Sequence, residues 1–136
     1  MGIIDTIKNL GKQKENSSKL MTISTQFQPY RLNAHKNESI DLLVTVKNND
    51  SKVNMISVVA KCPDKIGFGS PGINKTEQKK LGDFQPGEEK TVIFKVQGNS
   101  NTLPNDYPIA LFVYSHFRDY DHVENAIRKL ITLRAV

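Results

Sequence analysis

The chain has 136 residues, 38% of them hydrophobic and 24% charged, with no Trp and one Cys. That length suits a single core, and the composition excludes wholesale disorder. The formal net charge of +5 does not point to a nucleic-acid partner, because residues 37–136 carry thirteen Lys and Arg against twelve Asp and Glu, whereas an electrostatic footprint for DNA or RNA needs cations gathered on one face of the body.

The lone cysteine, Cys62, cannot close a disulfide within the chain, so the fold does not depend on an oxidising compartment. The front of the sequence lacks the apolar stretch of about 7–15 residues that marks a secretory signal, and nowhere do about 18 apolar residues run together as a membrane span requires. The expected location is therefore cytoplasmic, with attachment to a membrane surface only through the front of the chain.

That front segment, residues 2–11, reads GIIDTIKNLG and sets Ile3, Ile4, Ile7 and Leu10 on one stripe of a short amphipathic helix, with Asp5, Lys8 and Asn9 turned away. Two to three turns are marginal alone in water because nucleation is costly. The stripe needs a surface: the sandwich behind it, an anionic membrane facing Lys8, Lys12 and Lys14, or a groove on a protein partner. Residues 12–19, KQKENSSK, form a polar tether.

From Leu20 the period changes to two, and turn clusters punctuate the sequence at sandwich-like spacing. Seven strands are predicted. The first spans about 20–27 with Met21, Ile23, Thr25 and Phe27 in alternation, and the second spans about 39–47 with Ile40, Leu42, Val44 and Val46 on one face. The third covers about 53–61, using Val53, Ile56, Val58 and Val59. Residues 62–75 hold three Gly and two Pro and predict an irregular connection with a short edge strand, before a minor strand at about 76–81. The Phe84-Gln85-Pro86-Gly87-Glu88 turn leads into a strand with Val92, Phe94 and Val96 inward. Strands at about 107–115, with Ile109, Leu111 and Val113 to the core, and about 126–135, with Ile131, Leu133 and Ala135, complete the set.

Tyr107 opens the penultimate strand, where immunoglobulin-like sandwiches often hold a tyrosine whose hydroxyl returns to the backbone. Together with Val46-Lys47-Asn48-Asn49, the run Leu81-Gly82-Asp83-Phe84-Gln85-Pro86-Gly87-Glu88 into Thr91-Val92-Ile93-Phe94-Lys95-Val96, and Asp106-Tyr107-Pro108-Ile109, this order resembles the CARDB-type, cell-adhesion-related immunoglobulin-like domains of bacteria and archaea. The resemblance covers about residues 20–136. It implies an all-β immunoglobulin-like sandwich of about seven strands behind the helix, serving as an accessory module on extracellular or membrane-associated proteins.

The inventory for catalysis is thin. Gly67-Phe68-Gly69-Ser70-Pro71-Gly72 lacks the Lys-Ser/Thr of a phosphate loop, and nothing local pairs Cys62 with a histidine. The polar cluster to weigh is His116-Phe117-Arg118-Asp119-Tyr120-Asp121-His122, between the last two strands. Two readings compete with an ordinary solvated hairpin there. His116, Phe117, Arg118, Tyr120 and His122 have the aromatic and cationic character of a partner-contact loop, while two His and two Asp offer ligands for a divalent metal at a spacing that matches no established site.

The leading expectation is a non-catalytic protein-binding or scaffold module without cofactor or bound metal. Its partner-binding residues are Ile3, Ile4, Ile7, Leu10, His116, Phe117, Arg118, Tyr120 and His122. Alternatives from other classes are a carbohydrate or cell-surface adhesion domain using Tyr114, Phe117 and Tyr120 as a platform, and a metal-dependent enzyme built on the 116–122 loop.

Overall fold

The computed structural model describes residues 20–69 and 72–136. The expected helix and tether, with Ile3, Ile4, Ile7 and Leu10, lie outside the described residues.

The described chain forms nine strands in order: β1 Met21–Gln28, β2 Arg31–Leu32, β3 Ser39–Asn48, β4 Asn54–Lys61, β5 Gly67–Phe68, β6 Thr76–Phe84, β7 Glu89–Gln97, β8 Asn105–His116 and β9 Val123–Ala135. Each of the seven expected strands has its counterpart, β5 is the short edge strand expected within residues 62–75, and β2 is a two-residue addition. One sheet runs β1-β3-β7-β5 and the other β2-β9-β8-β4-β6. All pairings are antiparallel except β2 with β9. This is the spatial order of an immunoglobulin-like sandwich, with an edge strand added at each margin of the second sheet, β2 and β6. The chain visits the far edge of the first sheet through β5 before returning to the second as β6.

The two-residue rhythm sets the layers. Ile40, Leu42, Val44 and Val46 of β3 face Ile109, Leu111 and Val113 of β8 and Leu133 of β9 across the interior, all of them buried. Phe68, Phe84 and Phe94 add the bulk. Each aliphatic side chain so enclosed contributes about 1.5–3 kcal/mol. Alternate residues then line the two outer faces. Thr25, Phe27 and Val92 are only half-buried, and Val53, expected within the third strand, stands before β4 at 46% exposure.

Two turns hold one end together. Gly87 takes φ 82°, which glycine adopts without strain, and its amide donates to the carbonyl of Asn48 at 2.7 Å. Asn48, fully buried, accepts at Oδ1 from the Asp50 amide and from Asn54 Nδ2. Its own Nδ2 donates to the carbonyls of Lys52 and Phe84 at 3.0 Å. The hydroxyl of Tyr107 donates to the carbonyl of Leu103 at 2.7 Å, the backbone return expected of a corner tyrosine.

Candidate functional site

β8 and β9 make the longest hairpin of the sandwich, and its tip is the loop singled out from the sequence. The amide of Phe117 donates to the carbonyl of His122 at 2.9 Å, and the amide of Asp119 to the carbonyl of Phe117 at 2.9 Å. Arg118 adopts φ 74°. Phe117, Arg118 and His122 are exposed, with the Arg118 guanidinium 5.1 Å from the Phe117 ring centre. His122 Nδ1 lies 2.7 Å from Asp119 Oδ1, and this hydrogen bond, ahead of other causes, lowers the Asp119 carboxyl from its usual range.

His116 differs from the surface role expected of it. It ends β8 and is only 6% exposed, because Tyr120 folds over it with ring centres 5.0 Å apart in an edge-on arrangement. Its Nε2 lies 2.7 Å from the hydroxyl of Ser57 on β4, also buried. Among the described residues Nδ1 has no hydrogen-bond partner, although the backbones of His122 and Tyr120 lie close enough to favour the protonated ring. Burial outweighs them and lowers the imidazole pKa, so the neutral form is favoured. Tyr120 is anchored in turn: its hydroxyl accepts from the amide of Gly82 on β6 at 2.9 Å.

This arrangement does not suit bond-making. Ser57 is closed to solvent, and the carboxylate of Asp119 is engaged with His122 rather than orienting His116, so no nucleophile–base–orienter chain forms. Burial pushes the Cys62 thiol up to about 12, which keeps it protonated and unreactive. The two histidines of the loop do not converge: one ring points inward to Ser57 and the other pairs with Asp119 on the surface. Among the described residues no three of His, Cys, Asp and Glu gather as a metal site would require.

The aromatic residues expected to form a platform, Tyr114, Phe117 and Tyr120, do not gather as one group. Phe117 sits at the loop tip, apart from Tyr114 and Tyr120, and the aromatic stripe runs instead through Phe112, Tyr114, His116 and Tyr120 on the outer face of the second sheet. Phe112 and Tyr114 rings are nearly parallel, 7° apart with centres at 6.3 Å, and Tyr114 lies 6.2 Å from His116. Lys61 places its ammonium 5.3 Å from the Phe112 centre, and Lys80 places its own 5.0 Å from Tyr120. Arg128 of β9 stands opposite Phe112 in register. Sequence reasoning missed Phe112. The signal was present, since placing Ile109, Leu111 and Val113 inward turns Phe112 and Tyr114 outward by parity.

No family model matches the chain, and no curated protein does. Solved structures match at low identity. The segment of Escherichia coli alpha-2-macroglobulin from domain MG7 to the C-terminus aligns at TM-score 0.62 with 12% identity, covering 88% of this chain and 17% of that one. BcpA, the major pilin subunit of Bacillus cereus, aligns at TM-score 0.60 with 8% identity over 85% of this chain and 40% of its own. A FixG-related protein from Vibrio parahaemolyticus aligns at 0.51 and 11%, over 88% of this chain and 98% of that chain. This chain thus spans a small part of the alpha-2-macroglobulins it resembles, and the likeness shows the immunoglobulin-like sandwich.

Proposed function

We propose that the chain is a non-catalytic protein-binding or scaffold module of the CARDB type, with the stripe Ile3, Ile4, Ile7 and Leu10 placing it against its partner or a membrane surface. The observation that supports this reading is the contrast between spent and unspent groups. Ser57, His116 and Cys62, which could carry chemistry, are enclosed or held neutral, whereas the outer face of the second sheet carries half-buried rings edged by exposed cations. Half-buried aromatics edged by cations are the composition of contact surfaces rather than of reaction centres.

Deleting residues 2–11 tests the placement. The truncated protein is expected to keep its melting temperature, because the sandwich strands supply the buried core described above, and to lose partner capture from native lysate or recovery on anionic liposomes. Recovery equal to that of the full chain overturns the positioning role.

A further inference from the structure

The outer face of the second sheet carries a charge pattern that selects what can cover it. Residues that alternate with the core positions of β4, β6, β8 and β9 point outward, and the register brings Lys80, Ser57, Tyr114 and Ala126 into one row and Gln78, Val59, Phe112 and Arg128 into the next. The ionic groups on this face are Lys61, Lys80, Arg128 and Arg134 against Asp83 and Asp106, with Asp119 and Glu124 at its loop end. Asp106 is answered by Arg134 at 3.6 Å, Glu124 by Lys52 at 3.3 Å and Asp119 by His122 at 2.7 Å, and among the described residues no ion pair joins Lys61, Lys80 or Arg128 to an acid.

Charge narrows the occupants. A second copy laid face to face would set Lys61, Lys80 and Arg128 against their like, and residues 1–19, with Lys8, Lys12, Lys14 and Lys19 against Asp5 and Glu15, are repelled in the same sense. A nucleic acid would need denser cations than a body balanced this near neutrality supplies. We propose that this face docks an extended acidic segment of a protein partner along β8, its apolar side chains on Phe112 and Tyr114 and its carboxylates on Lys61, Lys80 and Arg128. This rests on the reading of the chain as a binding module and names the surface and the partner's chemistry.

Geometry favours the match. Successive rings at 6.3 and 6.2 Å approach the two-residue repeat of an extended chain, about 6.8 Å, so alternate side chains of a bound segment meet successive rings. Lys61 and Lys80 are already held over Phe112 and Tyr120, so binding orders them less than it would order free lysines.

The probe is a synthetic peptide of about eight residues alternating Glu and Leu, roughly the length of the stripe, titrated into the isotope-labelled full chain, with a Lys–Leu peptide as control. Amide shifts are expected at Lys61, Lys80, Phe112, Tyr114 and Arg128, absent with the control. Lys61→Glu combined with Arg128→Glu is expected to weaken binding at least tenfold. Should that variant fail to fold, as read by circular dichroism, Lys61→Gln with Arg128→Gln carries the same test with a smaller loss. Shifts confined to the 117–122 loop or the other sheet, affinity indifferent to the substitutions, or binding of oligouridylate or anionic vesicles in place of the peptide would each overturn the proposal. If the charge-reversed chain still captures its partner from lysate, the binding role stands and this face is not where it acts.

Discussion

Asn48 shows how much one polar side chain can organise when it is enclosed. Its amide nitrogen and oxygen serve five partners across the 48–54 turn, the end of β6 and the turn after it, and its backbone bridges to Gly87 and Glu88. Alanine there would take a donor from the carbonyls of Lys52, Phe84 and Gln85 and an acceptor from the Asp50 amide and from Asn54 Nδ2, which would keep only Asp50 Oδ2. The cost of such unmet groups is about 3 kcal/mol, which lowers the melting temperature of a domain this size by about 10–15 °C. Thermal denaturation of Asn48→Ala measures it, and a loss under about 1 kcal/mol would mean that the turns stand without the hub. From sequence, Asn48 is legible only as the end of a strand, because nothing local announces which distant carbonyls a side chain will meet. Tyr107 is legible in advance because its partner lies four residues away. His116 belongs to the first kind: its buried hydrogen bond depends on Ser57 arriving from β4, 59 residues away in sequence.

At the scale of elements, strands buried on one face were plain from their alternation, and the edges were not. β6 runs Thr76–Phe84, longer than the minor strand expected, because TEQKKLGDF has little apolar rhythm to read. Its core-side positions are taken by Glu77 and Lys79, which pair at 3.6 Å. The other edge behaves alike. Among the described residues, the free side of β9 has no strand partner before Arg134, and Lys129 sits on the same face as Ile127 and Ile131, half-buried, its ammonium pKa lowered by desolvation. Charges turned toward the core on exposed edges discourage pairing with other chains. Lys129→Leu is accordingly expected to drive concentration-dependent self-association, read by sedimentation velocity. A variant that stays monomeric across the series would show that the lysine is not what protects this edge.

For the molecule as a whole, the two outer faces differ in character. That of the first sheet pairs its charges, as Asp41 with Lys95 at 2.7 Å, and its hydroxyls, as Thr45 with Thr91 at 2.7 Å, while that of the second collects rings and cations. Global stability should also carry the signature of His116. Its folded pKa lies below the ordinary value of 6.5, with burial the main cause, so the unfolded chain binds the proton first as pH falls. The contribution is fully present above about pH 6.5 and is lost as pH drops below that value and through the folded pKa. The groups facing the ring are Ser57 from β4, Lys80 from β6, Tyr114 on its own strand, and Asp119, Tyr120 and His122 from the loop. Chemical denaturation at pH 7 and pH 5 should show a smaller decline for His116→Gln than for the parent protein; equal declines would assign the acid sensitivity elsewhere.

The bond from the Gly82 amide to the Tyr120 hydroxyl reaches from the tip of the β8–β9 hairpin over β4 to the opposite border of the sheet. It works as a tie rod. Because the tip is fastened at both ends, a load applied at Phe117 is transmitted sideways into β6 rather than bending the hairpin alone, and what grips the loop also tensions the far margin.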